Sequence, residues 1–486
     1  MSETTPAKPP SKDSAALETT DGQFDANLTL SAEFVRSVSW VIEVRDSDGF
    51  AALTHDLHPA DMADLIGLLR DEDRLALIDM LGGALPSDVL AELDDDLRES
   101  VIEALHPQKV AEAISELETD DATFVLEDLD KEKQAEILAE VPLEDRLALR
   151  AALDCEEESA GRVMQREFFA APSYWTVGQI IDRLRSTEEL PDRFYEVFVV
   201  DPTNKPVGAV ALSTLLKSQR TSVIGDLMSS RDLHAIPLTM DQEEVAYWFE
   251  QYNLISAPVV DEAGRLVGMI TVDDVVEMVR EETHEDMLAL GGVEADTGLS
   301  DTVIATVRSR FSWLAINLTT AILASLVIAL FGAAIEQIVA LAILMPIVAS
   351  MGGNAGTQTL TVAVRALATK DLTPANAARI VYREAQVGLL NGVIFAIIMG
   401  VLAGLWYFLS GWGAAPEAIR LGMVVGAAMT INLFAAGLAG ILVPIGLQRA
   451  GADPAVSSAV FVTTVTDVVG FFVFLGLAAA ILLPAA

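Results

Sequence analysis

DPAVSSAVFVTTVTDVVGFFVFLGLAAAILLP, residues 453–484, is a long apolar run that carries one carboxylate, Asp467, near its middle. Asp453 followed by Pro454 is a helix start: a side-chain acceptor at the cap, then a ring already fixed at helical φ. The run is long enough to cross about 30 Å of hydrocarbon with some tilt. At about 1.5 Å per residue, Asp467 lies roughly 20 Å inside that start. Thr463, Asp467 and Gly470 fall at i, i+4 and i+7, so one helical face is predicted to carry hydroxyl, carboxylate and bare backbone. A carboxylate at mid-membrane is expensive unless it faces water, an ion or a partner. No Lys, Arg or His lies within the segment to pair with it. Asp467 therefore reads as part of an ion path.

Working outward, the 486 residues are expected to form several domains. The net charge of −40 is spread very unevenly. Residues 301–486 hold seven acids and eight Lys or Arg, so a net −41 falls on residues 1–300. A near-neutral apolar half thus follows a strongly acidic soluble half. Such a surface repels nucleic acid and anionic lipid heads and attracts cations. The single Cys155 rules out an intramolecular disulfide and fits a reducing compartment. Residues 1–25 are rich in Ser, Thr, Pro, Lys and Asp with no apolar core; they are predicted to be a disordered tail, not a signal peptide.

From 26 to 155 the pattern is helical and repetitive. Stretches such as ADMADLIGLL (60–69), EDRLALIDML (72–81), SDVLAELD (87–94), RESVIEAL (98–105) and EDRLALRAAL (144–153) each begin near Asp, Ser or Pro. Helices this short are not stable alone, so they are predicted to stack as a small superhelix of antiparallel pairs. The acids of this domain read mostly as a solvated face, some of them meeting a neighbouring domain through a cation.

Residues 160–280 contain an internal repeat. VFVVDPTNKPVGAVALSTLL (197–216) and APVVDEAGRLVGMITVDDVV (257–276) align at an offset of 60, and Gly161/Met164 and Gly225/Met228 echo each other upstream. Each copy reads as helix, strand, a turn near Asn204 or Gly264, strand, helix. This resembles a tandem pair of cystathionine-β-synthase (CBS) domains. In that family a Ser/Thr-x-x-Asp turn holds a nucleotide ribose, which here would be Thr271 to Asp274; the first copy reads ALST (211–214) and lacks the Asp. The resemblance implies at most one well-formed site for ATP or another adenine nucleotide.

Residues 281–308 are predicted to form a connecting helix into the membrane. Glu281, Glu282, Glu285 and Asp286 stand within two turns, and like charges so close repel unless cations counter them. Five spans follow, at about 311–333, 336–363, 385–409, 417–447 and 454–483, within a transmembrane domain over 309–486. Arg308, Arg310, Arg365, Lys370, Arg379, Arg383 and Arg449 fall on one side and Arg420 on the other. The positive-inside bias places the soluble half in the cytoplasm and the C-terminus outside the cell membrane. The fold class is therefore a multidomain membrane protein: an all-α superhelical N-domain, an α/β CBS pair and an α-helical transmembrane domain of five helices.

The second span carries MPIVASMGGNAGTQTL (345–360). Pro346, Gly352, Gly353 and Gly356 are poor for a continuous helix, so a broken helix lining a cavity is expected, with tight packing through small residues as the plainer reading. Asn354 and Gln358, at i and i+4, put two amides on one face.

GGNAGTQ in the second span, VTTVTD-x-x-G in the last, the acidic helical N-domain and the CBS pair, in this order, resemble the MgtE-type magnesium transporter/channel family. The resemblance implies a homodimer with five helices from each protomer and a pore along the dimer axis, the Asp of the last helix (Asp467) being the cation site. It implies that cytosolic Mg²⁺ bridges acids of the N-domain, CBS pair and connecting helix and holds the pore shut. Carried over residue by residue, the sensor acids are Asp274, Glu277, Glu282, Glu285, Asp286, Asp453 and Glu243. Glu277 stands where Asp is expected, Asn253 stands where Asp is expected, and Ala459 replaces an Asn that lines the pore, with Ser457 and Ser458 as substitutes.

The chemistry agrees. Mg²⁺ dehydrates reluctantly and is usually held through one or two carboxylates with its waters retained. Two symmetry-related Asp467 would suit a hydrated divalent ion, and Asn354, Thr463 and Thr464 would bond its water shell. Three rival readings stay open. The same architecture could carry Co²⁺, Ni²⁺, Mn²⁺ or Ca²⁺; it could be a CBS-regulated ion-coupled carrier; an anion channel would require cationic or amide pore groups. No catalytic His/Cys/Ser constellation is present, the five His (55, 58, 106, 234, 284) being scattered, so the chain does not read as an enzyme.

Overall fold

The computed structural model describes residues 23–24, 29–81, 85–127, 129–186, 194–230, 233–293 and 303–483. The expected tail over 1–25, apart from Gln23 and Phe24, lies outside these residues, as do connector residues 294–302 and the side chains of Ser457 and Ser458. The chain forms two compact units, Met1–Met278 and Val279–Ala486.

The first unit opens with ten described helices of five to twelve residues: α1 (Ala32–Glu43), α2 (Ser47–Thr54), α3 (Pro59–Leu68), α4 (Asp71–Met80), α5 (Ser87–Ala91), α6 (Asp95–Ala104), α7 (Pro107–Ile114), α8 (Thr119–Glu127), α9 (Lys131–Glu140) and α10 (Leu143–Leu153). Their starts are chemically marked. Ser31, Asp46 and Asp130 cap α1, α2 and α9 through side-chain oxygens. His58 and His106, each followed by Pro, cap α3 and α7 by accepting a backbone N–H on Nδ1. Two of the scattered histidines are therefore helix punctuation. Ile42, Leu65, Leu90, Ile102, Ile114, Leu126 and Ile137 form one core that no single helix could bury.

Two three-stranded sheets follow. The first is β1 (Ala170–Pro172), β2 (Glu196–Val200) and β3 (Pro206–Ala211), with α11 (Val177–Ser186) and α12 (Leu212–Lys217). The second begins with α13 (Ile224–Leu227) and has β4 (Ile236–Pro237), α14 (Gln242–Tyr252), β5 (Ser256–Val260) and β6 (Leu266–Thr271). In both sheets the first pair is parallel and the second antiparallel, with register shifts at Val199/Val200 and Val259/Val260. The hairpin turns match too: Asn204 and Gly264 take φ of 63° and 76°, under Asp201 and Asp261, whose carboxylates accept the turn's N–H groups. The lead-in segments are exchanged. Met164, ahead of the first sheet, packs on Gly268 of the second, where Gln165 bridges to Met269; Met228, ahead of the second, packs on Gly208 of the first, where Ser229 bridges to Ala209.

The connecting helix differs from expectation. It is α15, Val272–Gly291, starting directly from β6. Thr271 N–H donates to Asp274 Oδ2 at 3.0 Å, and this local start signal sets the first helical residue nine positions before 281. The helix ends at Gly292, which has φ of 72° and the Trp313 ring packed against it, so no other residue fits there.

The second unit contains α16 (Val303–Leu330), short α17 (Gly332–Gln337), α18 (Ala340–Ala368), α19 (Ala377–Leu409), α20 (Ala415–Arg449) and α21 (Pro454–Leu482). Five of these, all but α17, are long and apolar enough to cross a membrane. α20 is the most buried, packing on α18, α19 and α21, whereas α16 packs mainly on α21 and exposes apolar side chains all round. The second span is not broken: α18 runs continuously through Pro346 and the glycines. The glycines serve close approach instead. A Cβ on Gly356 would strike Val462 of α21, and Gly440 of α20 faces the Gly356 carbonyl. α19 starts at Ala377, so Arg379 and Arg383 lie in its first turns and not in a connection.

Candidate ion path and acidic cleft

In the second unit, the polar residues of α18 and α21 divide by face. Asn354, Thr357, Gln358 and Thr361 are exposed and follow i, i+3, i+4, i+7, forming one stripe on α18. On α21 Thr463 is exposed, Asp467 and Thr464 are half-buried, and Thr466 is buried. Gly356 lies against Val462 and Thr466, which brings the two stripes to one level of the bundle. The hydroxyls of Thr357, Thr361, Thr463 and Thr464 all donate to carbonyls of their own helices, at 3.0, 3.0, 2.9 and 2.6 Å. With its proton so used, each oxygen turns lone pairs outward. Inner-shell waters of a cation donate outward, so acceptors are what a hydrated ion needs. Thr357 and Thr361 are additions to the residues read from sequence. Gly470 is a correction: it is buried against Asn432 of α20 and faces the packed interior, because the middle of α21 must admit that side chain. Ala459 is half-buried beside Leu360, Val462 and Ala289.

At the start of α21, Asp453 is the N-cap, accepting from Ala455 N–H at 2.8 Å. Its charge acts on Asp286 of α15, whose carboxyl is raised above the usual range by burial first and by Asp453 second. Glu282, Glu285 and Asp286 share one face of α15, and Ala289 and Leu290 beyond them pack with Leu360, Val364, Ala439 and Ala455. The far end of the connecting helix thus joins one apolar cluster with residues of α18, α20 and α21.

In the first unit the acids converge. A cleft of about 1050 Å³ is bordered by Asp88, Glu92, Asp120, Asp121, Glu144, Asp145, Asp273, Asp274 and Glu277, among others. Most of these come from the first turns of four helices: SDV of α5, TDDA of α8, LEDR of α10 and VDDV of α15. Any one of them alone is explained by the helix dipole. Together they crowd. Burial, then Asp274, Asp121 and Glu118, hold the Asp120 carboxyl well above its usual range, and its Oδ1 is shielded without a partner. Burial, followed by Asp274, Glu277, Glu92 and Asp88, raises Asp121 to about 7. Asp274 rises to about 6, burial outweighing the two hydrogen bonds from Thr271. α8 is held in place by Thr119 donating to Glu167 (2.7 Å) and by the Arg162–Glu127 ion pair (2.7 Å).

Among the described residues, no three His, Cys, Asp or Glu side chains are placed to hold a bare metal ion. Paired carboxylates around retained water fit both sites better. Of the other residues named from sequence, Glu243 is exposed on the first turn of α14, apart from the cleft. Asn253 is the αL cap of that helix (φ 52°), a position Asn tolerates better than most residues.

Three family descriptions match the chain: MgtE, divalent cation transporter, over residues 345–477; the MgtE intracellular N domain over 57–158; and a CBS domain over 224–281. The magnesium transporter MgtE of Enterococcus faecalis is 30% identical over 330 residues, 68% of this chain and 70% of that one. That of Thermus thermophilus is 34% identical over 325 residues, 66% and 70% of the two chains. A solved structure, the cytosolic domain of the Mg²⁺ channel MgtE in complex with ATP, superposes with a TM-score of 0.47 at 26% identity, covering 50% of this chain and 99% of that one.

Proposed function

The chain belongs to the MgtE family of divalent cation transporters, and on that premise we propose that it admits Mg²⁺ across a cell membrane through a path built on Asp467. The observation that carries this reading is the half-buried carboxylate of α21, one turn from Thr463, at the level of the bundle where α18 carries the exposed stripe of Asn354, Thr357, Gln358 and Thr361. A hydrated ion passes by trading bulk water for these acceptors, and one carboxylate per protomer holds it weakly enough to release. Two copies pair so that their polar stripes face each other, giving two Asp467 carboxylates on one axis.

Cytosolic cations close the path. Asp274 and Glu277 stand at the start of α15 and Glu282, Glu285 and Asp286 further along it, so cation occupancy at either place acts on one helix. The cleft's carboxylates repel by a few kcal/mol per close pair at a surface-like dielectric. Mg²⁺ cancels that repulsion only in the compact arrangement, and the binding free energy is therefore also closure free energy. The soluble half lies in the cytoplasm and the C-terminus outside, as the distribution of Arg and Lys favours. An adenine nucleotide at Thr271–Asp274 would share Asp274 with the cation site, so the two would affect each other's affinity reciprocally.

The test is Asp467→Asn in purified protein reconstituted in proteoliposomes. Mg²⁺ uptake should cease, as it should in Asp467→Ala. Uptake at the parental rate would remove Asp467 from the path.

A further inference from the structure

Asn432 lies midway along α20 in the apolar stretch MTINLF (429–434) and is 0% exposed. Met429 and Leu433 on the same helix belong to the bundle's apolar core with Leu344, Val348 and Phe474. A polar group so placed is costly unless it is hydrogen-bonded. Asn432 is bonded by half. Its Nδ2 donates to the Val348 carbonyl of α18 at 2.9 Å. That bond fixes the amide's orientation, since the flipped form would set two acceptors against each other. Oδ1 is left shielded and without a partner.

Two glycines make room for the amide. A Cβ on Gly352 of α18 would fall on Asn432 Nδ2, and one on Gly470 of α21 would come within 2.8 Å of the same atom and 3.3 Å of Oδ1. One side chain of α20 therefore fills the space two other helices leave empty. Two residues past Gly352 stands Asn354; three residues before Gly470 stands Asp467. Leucine shares the branched outline, with more bulk and no unpartnered oxygen. What the amide adds is a directional bond that fixes register, as a single buried Asn does in a coiled coil at some cost in stability.

We propose that Asn432 is a positioning residue for the ion path: by clamping α18 through Val348 while filling the Gly470 notch of α21, it sets the spacing of Asp467 from Asn354 and Gln358, on which discrimination among divalent cations by size and hydration depends. This rests on the ion-path reading of Asp467. The residue touches no ion itself and acts through the helices it joins.

The experiment compares full-length Asn432→Leu, Asn432→Ala, Gly352→Ala and the double variant Asn432→Ala/Gly352→Ala with the parent and with Asp467→Asn. Each is assayed in proteoliposomes for Mg²⁺ and Ca²⁺ flux, and for thermal unfolding in detergent. Asn432→Leu should still fold and reconstitute, at some cost from its extra bulk, yet its Mg²⁺/Ca²⁺ flux ratio should shift by at least about threefold, the factor of one interhelical hydrogen bond in a membrane protein. Gly352→Ala alone should lose transport, since its methyl displaces the amide. In the double variant the methyl replaces the amide's bulk, so thermal stability should return while the flux ratio stays shifted. A parental ratio in Asn432→Leu or in the double variant would make the amide a filler of space and end the proposal. If Asp467→Asn conducts like the parent, the ion-path reading fails and this proposal falls with it. If Asp467→Asn is silent and Asn432→Leu is parental, only the positioning role fails.

Discussion

Lowering the pH from 8 to 6 should weaken cation binding in the acidic cleft by about twentyfold, because protons and Mg²⁺ compete for the same carboxylates. The figure follows from two groups, Asp121 with a pKa of about 7 and Asp274 with one of about 6. At pH 8 both are ionised in about nine molecules of ten, and at pH 6 in about one of twenty. The sign for stability runs the other way. Both carboxyls titrate higher folded than unfolded, where 3.8 is the reference, so the folded unit takes up protons between about pH 4 and 7. Without divalent cations, the first unit should therefore become more stable as the pH falls through that window. The assay is hydrogen exchange of the full-length protein in detergent, titrated with Mg²⁺ at pH 8, 7 and 6 and constant ionic strength, following peptides from α5, α8 and the start of α15. Asp121→Asn should flatten the pH dependence between 8 and 7 and cut that between 7 and 6 from about tenfold to about twofold, the part that Asp274 carries. A Mg²⁺ midpoint that stays constant across the range, or cation-free stability that declines from pH 7 to 5, would refute the crowded-cleft reasoning.

Neutralising Glu282, Glu285 and Asp286 together should leave the path open at high internal Mg²⁺, so cells carrying the triple change accumulate Mg²⁺ past the set point of the parent; a normal set point would remove these acids from the gate. In detergent the protein mass should be near twice 51.9 kDa, measured by light scattering with the detergent contribution subtracted. A monomer that conducts after reconstitution would overturn the shared axis. Both follow from putting one carboxylate per chain in the path.

What the sequence made legible was local. The Ser/Thr-x-x-Asp turn is read from four adjacent residues, and the Thr271 N–H to Asp274 Oδ2 contact lies within those four, although the sequence predicts the helix that opens there only from 281. The repeat at an offset of 60 predicted two matching hairpins, because turn geometry depends on residues such as Asn204 and Gly264 in place. Asp467 stood out because a lone charge in hydrocarbon has no bland partner nearby. The cleft was not legible. Asp120 and Asp121 at the head of α8 look like ordinary first-turn acids, and only the folded chain brings them to Asp274, more than 150 residues on. The glycines of the second span predicted a break, whereas α18 is continuous, since a partner helix at close range supplies the packing that an isolated segment lacks. Asn432 carried no signal at all: its partner, Val348, is a backbone carbonyl on another helix.

The exchanged lead-in segments bear on how such a module can be cut. Met164 covers Gly268 of the second sheet, and Met228 covers Gly208 of the first. Either copy alone has an open notch, at Gly208 or Gly268, that the lead-in of the other fills. Each copy is thus completed by the lead-in of the other, and a truncation after the first copy, ahead of Met228, leaves the Gly208 notch of the first sheet uncovered. Shuffling of this module between proteins is accordingly constrained to whole pairs, while a circular permutation that reverses the order of the two copies keeps every swapped contact intact.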